Sequence, residues 1–215
     1  MEHNTITNIK SIEKEIQFIK NNVNIIAVTK TFPIDKINPL IQHGQIHFGE
    51  NKVQEAITKW TDVKKSLPNL KLHMIGKLQT NKVKFVVPLF DYIHSLDNLK
   101  LAEKISAEQK KNNKYLKIFI QVNIGNEHQK SGIDIQNLND FYKECVNVLN
   151  LDIIGLMCIP PNNTLTNNYF SKMSEITKSF KFEELSMGMS SDYLEAVNCG
   201  STFVRIGSKI FGKRA

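Results

Sequence analysis

The apolar run "NIIAVT" stops on a lysine, Lys30. Lysine is seldom buried unless a partner or a reaction consumes its charge. An amine at a strand end, kept neutral by desolvation or by a neighbouring cation, can condense with an aldehyde to a Schiff base. The plain alternative is one more solvated lysine in a lysine-rich chain, and the strand-end position sets the two readings level. A second residue narrows the choice. Of 28 basic residues only Arg205 and Arg214 are arginine. Where arginine is that scarce, one that remains is expected to need its planar, permanently charged fork. Arg214 reads as a solvated charge, whereas Arg205 sits among apolar neighbours in "FVRIGS".

Two further stretches could hold an anion. In "SMGMSSD", Gly188 permits close backbone approach and Ser190 stands where the next helix is expected to begin. A helix N-terminus carrying a hydroxyl can cradle phosphate, although a lone serine there can equally be a simple cap. In "RIGS", Gly207 and Ser208 offer a second set of backbone N–H groups and another hydroxyl. Two such sets at adjacent strand ends favour phosphate. Phosphate cradle, lysine and arginine together point to pyridoxal 5′-phosphate (PLP). Lys30 would form the Schiff base and Arg205 would face the pyridine nitrogen. Because arginine cannot take that nitrogen's proton, the ring would stay unprotonated and be a weak electron sink.

These residues need a scaffold that gathers strand ends. Ile9, Ile12, Ile16 and Ile19 at helical spacing predict an amphipathic helix over 5–21. Apolar strands then alternate with helical stretches. Strands are expected at "NIIAVT", "QIHFG", "KLHMIG", "DYIHSL", "YLKIFIQVNI", "LDIIGLMCI", "FEELSMGM" and "TFVRIG". Between them lie helical patterns, among them 51–67, 98–113 with Leu99, Ala102 and Ile105 in phase, and 135–149 with Leu138, Phe141, Cys145 and Leu149 on one face. Eight strand–helix units predict an α/β fold, a single (β/α)8 TIM barrel over residues 1–215 with an extra N-terminal helix. An open doubly wound sheet is the alternative, but neither G-x-G-x-x-G nor G-x-x-x-x-G-K-[ST] occurs. In a barrel, chemistry collects at the C-terminal strand ends. Those ends are Lys30, "GEN" (Gly49, Glu50, Asn51), Gly76, Ser95, Asn123, Met157, "SMGMSSD" and "RIGS".

Composition limits the rest. Hydrophobic residues make up 41%, enough for a substantial core. The net charge of +7 comes from scattered lysines without a basic block interleaved with aromatics, so nucleic acid is not an expected partner. Cys145, Cys158 and Cys199 show no metal-ligand spacing and read as reduced core thiols. No secretory signal and no membrane-length apolar run is present, which predicts a cytoplasmic chain that does not enter a membrane.

The motifs "AVTKT", "HFGENKVQEA", "HMIGKLQTNK", "HQKSGI", "GLMCIPP", "LSMGMSSDYLEAV" and "GSTFVRIGSKIFGKR" occur in order from Ile25 to Arg214. Together the chain resembles the pyridoxal-phosphate homeostasis protein family, itself similar to the barrel domain of the fold-type III alanine racemases. The resemblance implies that Lys30 is the Schiff-base lysine and that Arg205 stands at the pyridine nitrogen. It makes Ser190, Gly207 and Ser208 the phosphate-binding set, with Ser208 where the family often has threonine. It also puts Asn51 on the cofactor pocket and Lys130 of "HQKSG" near the site.

The family is understood as a regulator of cofactor supply, which implies a protein that binds and buffers PLP inside the cell and delivers it to apo forms of PLP-dependent enzymes, without robust catalysis. Alanine racemases use a lysine and a partner-subunit tyrosine as opposed bases and carry a β-domain that helps form the dimer. Here the barrel uses the chain, so a monomer is expected. The tyrosines Tyr92, Tyr115, Tyr142, Tyr169 and Tyr193 have no evident catalytic setting, and a missing second base costs about 10²–10⁴-fold. The alternatives are a one-base racemase-like PLP enzyme, a barrel aldolase whose lysine acts without a cofactor, and a structural or nucleic-acid-binding domain.

Overall fold

The computed structural model describes residues 3–127, 131–161 and 166–212. Lys130, Arg214 and the middle of the "PPNNTLTNN" loop lie outside the described residues. Eight strands form a closed parallel barrel in sequence order. They are β1 (Asn24–Val28), β2 (His47–Glu50), β3 (Lys71–Met74), β4 (Tyr92–Leu96), β5 (Lys117–Gln121), β6 (Asp152–Met157), β7 (Glu184–Met189) and β8 (Phe203–Ile206). Pairing of β1 with β8, Ile26 opposite Arg205, closes the ring.

The helices are α1 (Asn4–Gln17), α2 (Ile34–Gln42), α3 (Val53–Ser66), α4 (Val83–Leu89), α5 (Leu99–Asn112), α6 (Leu138–Lys143), α7 (Thr166–Ser179), α8 (Tyr193–Asn198) and α9 (Ser208–Phe211). Strands covered on both faces read as near-continuous apolar runs, which is why they stand out in the sequence. The outer face packs Phe48, Leu72 and Ile93 against helix residues such as Ile37, Trp60 and Val86. Ile26, Tyr92, Phe119, Met157 and Phe203 form a separate cluster inside the ring. Between β6 and β7 the backbones approach so closely that a Cβ on Gly155 would lie 2.0 Å from Glu184 O, so only glycine fits.

Several elements differ in detail from the sequence pattern. In α1, Ile9, Ile12 and Ile16 are buried, each contributing about 1.5–3 kcal/mol, while Ile19 lies past the helix end and is exposed. In α5, Leu99 is exposed and Leu101, Ala102 and Ile105 face the barrel; the first-turn residue falls outside the buried stripe. The 135–149 stretch is a 3₁₀ turn, then α6, then a π-helical turn over Glu144–Val148. Helix α9, too short to announce itself by periodicity, follows β8 directly. Cys145 and Cys158 are buried and Cys199 is half-buried, all three as free thiols; burial pushes Cys145 and Cys158 up to about 12.

Candidate functional site

A cavity of about 460 Å³ opens at the C-terminal end of the barrel. Lys30, Asn51, Ser190, Arg205, Gly207 and Ser208, all marked in the sequence, line it together. Val28, Phe32, Ile75, Ile159 and Met189 supply apolar wall. A mostly apolar concave site with a few convergent polar groups is the usual form of a small-molecule pocket.

Lys30 is half-buried just beyond β1. Its surroundings are rigid. The next residue, Thr31, has φ +69°, a left-handed conformation that a β-branched residue rarely adopts. The Thr31 amide donates to Glu55 Oε1, which anchors that turn to α3. Beneath it, Glu50 is fully buried and its Oε1 accepts from Thr29 Oγ1 (2.7 Å), Lys59 Nζ (2.8 Å) and Trp60 Nε1 (2.9 Å). Lys59 Nζ also donates to the Thr29 carbonyl at 2.7 Å. This network ties the end of β1 to the end of β2 and to α3, fixing the segments that carry Lys30 and Asn51. Asn51 Oδ1 is buried without a hydrogen-bond partner among the described residues. Gly76 lies against the Asn51 backbone: a Cβ there would come within 2.3 Å of Asn51 O.

On the opposite wall, Ser190 does not cap α8, whose N-cap residue is Asp192. The Ser190 hydroxyl instead accepts from the backbone N–H groups of Gly207 (3.2 Å) and Lys209 (3.4 Å). Ser190 is thus tied to the loop after β8, and with Gly207 and Ser208 it forms one stretch of cavity wall rather than two separate caps. Phe32 stacks on Phe211 with ring centroids 4.8 Å apart, which joins the Lys30 turn to α9.

Arg205 is buried (4% exposed) yet lines the cavity. Its Nη1 donates to Ser186 Oγ at 2.7 Å and its Nη2 to the Cys158 carbonyl at 2.9 Å. Burial lowers its pKa, but arginine starts so high that it remains charged. Behind Ser186, three histidines continue inward. His94, His73 and His47 are joined ring to ring, with His73 stacked on Tyr92 and His94 on Phe119. Burial, followed by each other's charge, holds His73 well below its usual range. Burial and then the Arg205 charge do the same to His94. His47, half-buried at the lower end, is lowered to about 4, chiefly by burial and then by Lys71.

Other strand-end residues do not join the cavity. Ser95 is buried with an unpartnered hydroxyl, on the opposite side of β4 from its inward neighbour His94. Asn123 staples its own loop through Glu127 N and O. Met157 belongs to the barrel interior. Sequence reading by strand ends passed over Ser186 and the histidines. Alternation along "KLHMIG" and "DYIHSL" was the available signal.

Eight parallel strands closed into a barrel and alternating with helices, with one cavity at the C-terminal strand ends, define the class of the molecule. Residues 5–215 match the family described as alanine racemase, N-terminal domain. An alanine racemase of Clostridium difficile superposes with a TM-score of 0.76 at 13% identity, covering 98% of this chain and 57% of that one, a likeness of fold alone. Other relatives are nearer. The pyridoxal phosphate homeostasis protein of Haemophilus influenzae is 39% identical over 211 residues, 94% of this chain and 89% of its own. PipY of Synechococcus elongatus, solved with PLP bound, has a TM-score of 0.87 at 33% identity, covering 97% of this chain and all of that one. The chain belongs to the pyridoxal phosphate homeostasis protein family.

Proposed function

We propose that the protein binds pyridoxal 5′-phosphate in the barrel-mouth cavity and serves its homeostasis, holding and releasing the cofactor rather than turning over a substrate. One observation carries this reading: Lys30, Arg205, Ser190, Gly207 and Ser208 line a single cavity. The donor set fits the group. Backbone N–H groups and hydroxyls suit a phosphate, a half-buried amine suits an aldehyde, and a buried arginine suits an unprotonated ring nitrogen. The buried, unpartnered Asn51 Oδ1 leaves one acceptor for a ligand donor. Bound PLP supplies an aldehyde to an amine and a ring that withdraws electrons.

The chain's own residues do the holding. Lys30 would bind covalently, Arg205 would donate to the ring nitrogen without protonating it, and the β7 and β8 loops would bind phosphate. None of the five tyrosines is positioned as a cavity base. Tyr92 stacks on His73 inside the barrel, and the Tyr193 hydroxyl bonds Glu15 of α1 and Lys209 of α9. Tyr115 is exposed, and Tyr142 and Tyr169 pack in the helix layer. That placement leaves the cavity without a tyrosine base from its own chain. We extend the reading to a monomer that passes PLP to apo-enzymes in the cytoplasm; among the described residues no helix is long and apolar enough to cross a membrane.

The test is an absorbance spectrum before and after borohydride reduction, with peptide mapping. A yellow protein that yields a pyridoxyl group on Lys30, and leaves amino-acid α-hydrogens unexchanged in heavy water, is the expected result. A colourless protein that gains no band with added PLP would sink the reading.

Two variants probe the cavity walls. Ser190→Ala removes a hydroxyl from the phosphate set and is expected to weaken PLP retention by about 1–3 kcal/mol; equal affinity by equilibrium titration would confine Ser190 to bracing α9. Gly76→Ala pushes a Cβ into the Asn51 backbone. It is expected to cost about 1–3 kcal/mol of stability and to lower PLP affinity as Asn51 is displaced. Unchanged affinity at reduced stability would take Asn51 out of the site.

A further inference from the structure

Four hydrogen bonds run from Arg205 to the lower end of the barrel. Arg205 Nη1 meets Ser186 Oγ at 2.7 Å. Ser186 Oγ meets His94 Nδ1, His94 Nε2 meets His73 Nδ1, and His73 Nε2 meets His47 Nδ1, each at 2.9 Å. The first link fixes the direction of the rest. A guanidinium only donates, so Ser186 Oγ accepts from Arg205 and has one proton to give to its other partner. His94 Nδ1 must then carry a lone pair, which leaves the proton of neutral His94 on Nε2, donated to His73 Nδ1. The same step repeats, so His73 donates from Nε2 to His47 Nδ1, and His47 also carries its proton on Nε2.

The opposite polarity aims two donors at Ser186 and strands its hydroxyl proton in the interior, which is costly. A charged ring in the middle is no better. His73 and His94 are completely buried, and among the described residues no carboxylate is hydrogen-bonded to either. Tyr92, Phe119 and Phe203 wall the rings in and keep their planes.

We propose that His47, His73 and His94 are positioning residues for Arg205: three neutral imidazoles, all protonated on Nε2, whose aligned lone-pair ends support the buried guanidinium through Ser186. The negative end of a neutral imidazole dipole lies at its lone-pair nitrogen. Three in line place partial negative charge beside a cation that, among the described residues, has no hydrogen-bonded carboxylate. They hold Nη1 through Ser186 while the Cys158 carbonyl holds Nη2, which leaves the other N–H groups of the guanidinium to the cavity. The consequence for PLP rests on the proposed role of Arg205; the tautomers do not.

The experiment is ¹⁵N NMR of histidine-labelled protein, without and with PLP, with the exposed His3 and His43 as internal references. Neutral Nε2–H rings at His47, His73 and His94 are expected in both states. Ser186→Ala should release His94 from its single tautomer. In the loaded protein it should also shift the visible band and speed PLP dissociation by about tenfold, the loss of about one charged hydrogen bond; Ser186→Thr should restore both. An Nδ1–H or doubly protonated ring at His73 or His94 in the wild type overturns the proposal, and that measurement needs no variant to fold. So does a Ser186→Ala protein with unchanged tautomers and dissociation rate. Failure of the wild type to take up PLP would overturn the cofactor reading while the ring tautomers still decide this one.

Discussion

Lys30→Ala is expected to lose the borohydride-fixed pyridoxyl label completely while the fold survives. The side chain is half-buried at a cavity rim, outside the barrel's packed interior. Truncation there should change stability by no more than about 1 kcal/mol. The phosphate donors and Arg205 stay in place, so PLP should still bind, but reversibly, and dialysis should remove it. The covalent link is what separates retention from ordinary equilibrium binding. The visible spectrum of the variant mixed with PLP should therefore match free PLP in water rather than the wild-type complex. A variant that still yields a reduced adduct at another lysine in the cavity would mean that Lys30 is not the reactive amine.

Lys59→Met is expected to have the largest effect on stability. Glu50 is fully buried and Lys59 nearly so, with 0% and 7% of their side chains exposed. Removing one member of such a pair leaves a charge in the interior and costs about 3–5 kcal/mol. For a chain of this size that corresponds to a fall in Tm on the order of 10 °C. Lys65 gives the contrast. It pairs with Asp62 at a similar 2.9 Å, but both side chains are largely exposed, so Lys65→Met should cost less than about 1 kcal/mol. Denaturant titration of the two variants checks the difference. Equal losses would show that the Glu50 network does not brace the ends of β1 and β2.

The barrel was legible because each of its strands is covered on both sides and so writes itself as an apolar run closed by a small or polar residue. The site was legible for a related reason: Lys30, Asn51, Arg205 and Gly207 lie at or just past strand ends, where a side chain's face needs no further argument. Reading failed where spacing had to be combined with the third dimension. Ser190 sits near a helix start in the sequence, yet its partners are amides of the β8 loop and α9, reached only once β7 and β8 are side by side. His73 and His94 sit inside strands, where alternation decides which way each points and where a histidine resembles any other interruption of an apolar run. Helix α9 has four residues, fewer than two turns, and leaves no periodic trace. Leu99 is in phase with Ala102 and Ile105, yet it is exposed, because the buried stripe begins only at Leu101.

The closing pair of strands carries a consequence for the order of events during synthesis. The lysine beyond β1 is translated early, and Arg205, Gly207 and Ser208 very late, while β1 and β8 are direct neighbours in the ring. A growing chain on the ribosome can therefore expose Lys30 long before it has Arg205, Gly207 or Ser208. Until β8 has left the exit tunnel and joined β1, no complete cavity exists to select one aldehyde over another. On the proposed reading, loading with cofactor must wait for β8, and a chain cut short before it would present Lys30 without Arg205, Gly207 or Ser208.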